Sequence, residues 1–242
     1  MRFVAIKNAE QQAILSLHRA RQGFVKARTA QANQIRGLLG EYGITIPQGI
    51  KYVMKDMLKL LDSPEHDLPG AFTDLLKRLH AHLLVLEEQV SDLETQINSW
   101  HSNNEYSQRL SEIPGIGPLT ATALVASIAD ANCFRNGREL AAWLGLVPRQ
   151  HSSGGRPMLL GISKRGDTYL RTLLIHGARS AVRVARDKSS LTDKWTNEML
   201  NRRHQNVASV ARANKNARIV WALLELSLIH LARCRRATPN SR

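Results

Sequence analysis

Three features of the sequence predict a mainly α-helical protein. Aromatic residues make up only 5% of the chain, so aliphatic side chains supply nearly all of its apolar content. Leu, Ala, Arg and Gln are abundant while β-branched runs are short, a composition that favours helix over strand. Apolar residues also recur at spacings of three and four over long stretches, the period of a helix with one buried face. With 242 residues there is room for one large domain or two small ones. The expected architecture is a helical linker or coiled coil followed by a compact helical domain containing a helix-hairpin-helix-like motif.

The elements can be read in order. Residues 3–6, Phe-Val-Ala-Ile, suggest one short strand with no visible partner. Residues 9–39 turn helical, with Ile14, Leu17, Val25, Ile35, Leu38 and Leu39 among Arg and Gln, until Gly43 and Pro47-Gln48-Gly49 break the pattern. Ser63-Pro64 and Leu68-Pro69-Gly70 mark a loop between two further helices. Residues 72–100 form a long amphipathic segment. In it Leu75, Leu76, Leu79, Leu83, Leu86, Val90, Leu93 and Ile97 share one side and acids cluster on the other. Such a helix packs on a partner helix, as in a coiled coil, or sits in an ordinary bundle. His101-Ser102-Asn103-Asn104 is a plausible joint, so the expected divisions are 1–60, 61–102 and 103–236, with a frayed tail at 237–242.

The net charge of +14 points to a polyanionic partner, because Lys and Arg at phosphates release condensed counterions. The charge is uneven. Residues 1–102 carry 12 Lys and Arg against 11 Asp and Glu, whereas residues 103–242 carry 22 against 9. Nucleic-acid affinity is therefore expected in the second part. A membrane surface is the competing polyanion, but the most apolar stretch, 219–229, is short and interrupted by Glu225. No apolar signal region follows Met1-Arg2. Cys133 and Cys234 stand far apart without metal-ligand spacing, which suits a reducing compartment with neither disulfide nor zinc. The expected location is the cytoplasm, in association with the nucleoid, and no membrane contact is expected.

Three stretches carry chemistry. In Ile113-Pro114-Gly115-Ile116-Gly117-Pro118 two glycines around one apolar residue make a tight turn, and Pro118 fits the first position of the next helix. That helix would begin with free N–H groups and the positive end of its dipole, a seat for a phosphate. A simple helix–helix turn with a glycine cap is the other reading; the basic surroundings favour phosphate, with Gly115 and Gly117 as the binding positions. The second stretch runs from Trp143-Leu144-Gly145-Leu146-Val147-Pro148 through Arg149-Gln150-His151-Ser152-Ser153-Gly154-Gly155-Arg156 to Ile162-Ser163-Lys164-Arg165-Gly166-Asp167. A serine hydroxyl on such a loop can approach a phosphorus, and Arg149, Arg156, Lys164 and Arg165 would offset charge on the phosphate oxygens. Taken alone, Ser-Gly-Gly is more often a linker or an anion-binding turn than a catalytic serine.

The third stretch is a helix opened by Asp167 as N-cap. Leu170, Leu173, Leu174, Ala178, Ala181 and Ala185 form its apolar stripe, while Arg171, Arg179, Arg183 and Arg186 lie largely off it, and Arg171 and Arg179 are expected to bind nucleic acid together with Arg149, Arg156, Lys164 and Arg165. A second basic cluster, Arg202-Arg203-His204 with Arg212, Lys215 and Arg218, precedes an apolar helix expected in the core. His151 and His176 are candidate general bases, although lone histidines are more often structural or solvated. No carboxylate pair has metal-binding spacing, so no metal residue is assigned.

Residues 113–118, 143–148, 152–155 and 162–171 together resemble the C-terminal domain of the insertion-sequence-110 class of transposases, related to the Piv/MooV site-specific DNA recombinases. Residues 2–60, with Arg28-Thr29-Ala30-Gln31-Ala32-Asn33-Gln34-Ile35-Arg36, also resemble the family's passage from its first domain into its helical linker. The resemblance covers nearly the whole chain. It implies that Ser153, with Ser152 as fallback, is the nucleophile that attacks a DNA phosphodiester and forms a phosphoserine link. It also implies DNA and an element-encoded guide RNA as partners, a homo-oligomer, and Mg held by four acidic residues of an N-terminal RuvC-like domain. Residues 1–60 align with the end of that domain, so its acids are expected upstream, and the chain is expected to be truncated and inactive alone. The competing expectation is a non-catalytic helix-hairpin-helix DNA-binding module.

Overall fold

The computed structural model describes residues 6–62, 68–151, 158–185 and 190–237. They form a mainly α protein, as the composition predicts, with one two-stranded ribbon among the described residues. The chain divides into two compact units, residues 16–97 and residues 1–15 with 98–242.

The unit of residues 16–97 is built on two long helices, α1 (Ala9–Glu41) and α3 (Gly70–Ser102), with α2 (Ile50–Asp62) between them in sequence. Arg21 pairs with Glu94 at 2.5 Å, and Arg28 pairs with Glu87 at 2.6 Å. Seven residues forward on α1 thus match seven residues backward on α3, the signature of an antiparallel pair. Along α3 the residues Phe72, Leu76, Leu83, Leu86, Val90 and Ile97 are buried, on the alternating four-and-three spacing of a heptad seam. The partner helix expected for this segment is α1 of the same chain. On α1 the corresponding positions change character. Ala32, Ile35 and Leu39 join Phe72, Leu76 and Leu83 in a core that Val53 and Met57 of α2 complete, whereas His18, Arg21 and Arg28 continue the same spacing toward its start. One end of the pair is therefore apolar on both helices, while at the other the buried Leu86, Val90 and Ile97 of α3 face a stretch of α1 that carries His18, Arg21 and Arg28. Helix α1 stops where Gly43 takes a left-handed φ of 73°, in the Gly/Pro break read from the sequence.

In the second unit six shorter elements surround one long helix. They are α4 (Glu105–Ser111), α5 (Pro118–Ser127), a 3-10 turn (Ala131–Cys133), α6 (Gly137–Trp143), α7 (Thr168–Val184) and α8 (Leu191–Arg202). The long helix is α9 (Gln205–Ala237), which touches α4, α6, α7, α8 and the 3-10 turn. Small residues make this possible: Ala208, Ala213 and Ala217 are fully or almost fully buried, so neighbouring backbones come close. Gly137 at the start of α6 rides directly on Arg218, whose Cα lies 2.9 Å from where a Cβ at residue 137 would be. Helix α5 is apolar on all sides and buried from Thr120 to Ala126, as a helix with no polar face must be. Of its two buried threonines, Thr122 is satisfied within the helix, its Oγ1 donating to Pro118 O at 2.9 Å.

The strand expected at residues 3–6 falls mostly outside the described residues, and Ile6 itself is irregular and exposed. The ribbon lies elsewhere. β1 (Pro148–Gln150) pairs antiparallel with β2 (Leu159–Ile162), Pro148 opposite Ile162 and Gln150 opposite Leu159. Strands this short show no alternation of apolar and polar residues, which is why the period gives no sign of them.

Candidate nucleic-acid interface

The glycine turn forms as its residues dictate. Gly115 adopts φ 94° and Gly117 caps α5, with Pro118 in the first helical turn. The turn is less free than a bare phosphate seat. The Gly115 carbonyl faces Gly177 of α7 so closely that a Cβ on residue 177 would lie 1.8 Å from its oxygen. Asn216 of α9 donates to Pro114 O at 3.0 Å. Gly117 and Pro118 remain exposed at the helix start. The Leu119 N–H is not used within the helix, while Thr120 and Ala121 both donate to Gly117 O.

The β-ribbon frames the serine stretch. His151 N donates to Met158 O at 2.9 Å, closing the ribbon at one end. Ser163 N donates to Val147 O at 2.8 Å and Lys164 N to Gly145 O at 3.2 Å, closing it at the other. Ser152, Ser153 and Arg156 lie outside the described residues. Arg149 on β1 and Lys164 and Arg165 at the root of β2 are exposed. Lys164 is held in the left-handed region, φ 56°, which few non-glycine residues adopt. His151 is exposed at the ribbon's outer end, and His176 is exposed on α7.

Asp167 caps α7 as expected, its Oδ1 accepting from Leu170 N at 3.0 Å. Arg171, expected among the nucleic-acid contacts, is instead buried and only 7% exposed. Its Nη1 donates to Leu144 O at 3.2 Å and to Arg165 O at 3.1 Å, and its Nη2 to Thr168 Oγ1 at 3.1 Å. A guanidinium buried to this degree, with both terminal nitrogens bonded to internal oxygens, presents little to a phosphate, so Arg171 leaves the contact set. Arg179 is half-buried and Arg183 exposed on the same helix, and Arg186 lies outside the described residues. Arg212 of the second cluster is likewise buried, 1% exposed, with Nη1 bonded to Asp193 Oδ1 at 3.2 Å and to Thr196 Oγ1 at 2.8 Å.

What sequence reasoning missed lies beside the ribbon. A groove of about 1470 Å³ runs between β2 and the exposed side of α9, with a largely aliphatic floor that includes Leu160, Val207 and Ile219. Arg138, Arg203, Lys215 and Arg218 line it, with no acid among the lining residues. Lys215 stands 4.5 Å above the Trp195 ring, a cation–π contact that pins both. Arg138 carried no signal of its own. It follows the α6 cap, where Asn136 Oδ1 accepts from Arg138 N and Glu139 N, and only the packing of α6 on α9 brings it here. Among the described residues no three His, Cys, Asp or Glu side chains converge. The Mg implied by the family resemblance has no ligand set among them. No helix among them is long and apolar enough to cross a membrane.

Comparison with known proteins bears on the same segments. Residues 107–193 match the model of the transposase IS116/IS110/IS902 family, a span containing the glycine turn, the ribbon and α7. The chain is 50% identical over 225 residues to a probable family 20 transposase of Pseudomonas aeruginosa, covering 93% of this chain and 67% of the relative. It is 46% identical over 224 residues to the transposase for insertion sequence element IS1111A of Coxiella burnetii, covering 93% and 62%. It is 41% identical over 224 residues to the transposase for insertion sequence element IS1328 of Yersinia enterocolitica, covering 92% and 66%. The chain thus spans about two thirds of the length of these relatives.

Proposed function

The chain belongs to the IS116/IS110/IS902 transposase family, and from that premise we propose that it binds DNA through its second unit and joins it covalently through Ser153. The observation that carries this reading is the ribbon. Its two strands close through His151 and Met158 on either side of the serine stretch, with Arg149 exposed on β1 and Lys164 and Arg165 exposed at the root of the same ribbon. In the proposed step the Ser153 hydroxyl oxygen forms a bond to phosphorus while the bond to one sugar oxygen breaks. The serine proton passes to a base, the departing sugar oxygen takes up a proton, and the phosphoserine link retains the bond energy for rejoining. Cations beside the phosphate stabilise charge on its oxygens as the transition state forms. A helix-hairpin-helix contact at Gly115–Gly117 to the DNA backbone belongs to the same proposal. So do a guide RNA and further copies of the chain as partners.

A trapping experiment decides the chemistry. The purified chain is incubated with nicked or suicide DNA substrates, and a denaturation-resistant adduct is sought, mapped by peptide mass. An adduct on Ser153 from the chain alone, persisting in Ser152→Ala and vanishing in Ser153→Ala with DNA affinity unchanged, supports the serine reading and overturns the expectation that the chain is inactive alone. An adduct on Ser152, or none from any variant, removes Ser153 as the nucleophile. In the second case the non-catalytic binding module stands, a reading supported by the exposed cations of the groove, which hold DNA without any serine.

A further inference from the structure

The buried guanidinium of Arg171 has a geometry that solvation or simple packing does not require. Leu144 lies four residues before β1 and Arg165 three residues after β2, so one side chain on α7 holds both feet of the ribbon through their carbonyls. Taking a cation out of water is costly unless its donors find partners, and here three of its N–H groups bond to two carbonyls of the ribbon root and a hydroxyl of its own helix. The same feet interlock as backbones. A Cβ at Gly145 would meet Arg165 O at 2.0 Å, and a Cβ at Gly166 would meet Trp143 O at 1.9 Å. Asn214 of α9 adds a bond to Leu146 O at 3.2 Å. Six residues further along α7, about 9 Å of helix rise, Gly177 grips the Gly115 turn.

We infer that Arg171 is a positioning residue, and that α7 sets the ribbon bearing the serine at a fixed spacing from the Gly115–Gly117 turn. The inference rests on the serine reading above for its catalytic consequence, but not for its structural content. Arg171 touches no substrate. It acts by denying the ribbon the freedom to swing at its root, so that a loop serine meets a phosphate held elsewhere on the same surface.

The test uses amide hydrogen exchange on the full chain together with DNA titration, for Arg171→Met and Arg171→Lys. Losing the fork removes two bonds at the root, so exchange at Ser163 and Lys164 is expected to accelerate about tenfold or more in Arg171→Met, while amides in α5 and the middle of α9 keep native rates. Affinity for duplex DNA and its salt dependence are expected within about twofold of the parent chain, because no phosphate contact is lost. Adduct formation at saturating DNA is expected to fall by about tenfold or more while the DNA concentration for half-maximal rate holds. Arg171→Lys keeps the buried charge but not the fork, so it is the safeguard against misfolding, with ribbon exchange intermediate between the other two. Native ribbon exchange in a folded Arg171→Met or Arg171→Lys, or DNA binding weakened with a shallower salt slope, overturns the inference. If the parent chain makes no adduct the serine reading falls, yet the exchange comparison still decides whether Arg171 holds the ribbon.

Discussion

Gly145 and Gly166 face each other's neighbouring carbonyls at separations that admit no side chain, and both have positive φ, 72° and 82°. Gly161 on β2 has nothing within 4 Å of its would-be Cβ. Gly145→Ala is therefore expected to lose about 2 kcal/mol or more through strain and overpacking, and Gly161→Ala to stay close to neutral, as read by urea unfolding. Arg212 and Asp193 form a pair only 1% and 5% exposed. Removing one partner leaves the other charged and buried, so Asp193→Ala is expected to cost about 3–5 kcal/mol. Arg212→Met with Asp193→Leu should cost much less than the two singles added, a non-additivity that a double-mutant cycle measures. His18 supplies the pH dependence. Burial, reinforced by the Arg21 guanidinium, lowers its pKa from 6.5 to about 4, and burial also lowers that of His101. Between these pH values the unfolded chain binds a proton at His18 that the folded chain refuses. Stability should then fall as pH drops through the window and level off below it. The His18 share of that loss is about 3 kcal/mol, and His18→Gln should abolish it in unfolding curves at neutral and acid pH.

At the level of the elements, the α1–α3 pair divides its stabilisation along its length. The end with Ile35, Leu39, Leu76 and Leu83 excludes water, and Leu76→Ala there is expected to cost about 2–5 kcal/mol. The other end leans on Arg21–Glu94 and Arg28–Glu87, whose acids are 44% and 40% exposed. Solvent screens such pairs, so each double-mutant coupling should be below about 1 kcal/mol and shrink in high salt. The helical period of α3 was legible in its leucines, and so was the need for a partner helix. That the partner is α1 was not, because Arg21 and Arg28 occupy seam positions with polar side chains whose aliphatic stems do the covering. The ribbon was hidden for a different reason: two strands of three and four residues are set by pairing across a loop, not by any local pattern.

Across the whole molecule, the positive charge concentrated after residue 102 meets a family membership in which DNA is the partner to expect. Burial sorts the cations. Arg203 and Arg218 are exposed along the groove, Arg179 is half-exposed on α7, and Arg171 and Arg212 are interior. Replacing Arg203, Arg218 or Arg179 by Ala is expected to weaken DNA binding and to lower the slope of log affinity against log salt by about one each. Fluorescence titration at several salt concentrations checks this, and equal slopes for all variants would place the DNA on another surface.

The sequence by itself determined the helical class, the cap at Asp167, Pro118 in the first turn of its helix, the glycine turn, the uneven charge and the family, because each of these is written in residues close together along the chain. Only the tertiary structure decided which arginines face water. That choice depends on where α7 and α9 turn relative to the ribbon and α8, and on carbonyls such as Leu144 O and Arg165 O that no side-chain pattern announces. A guanidinium carries the same charge in either place, and what separates a phosphate contact from a structural pin is the company of its donors.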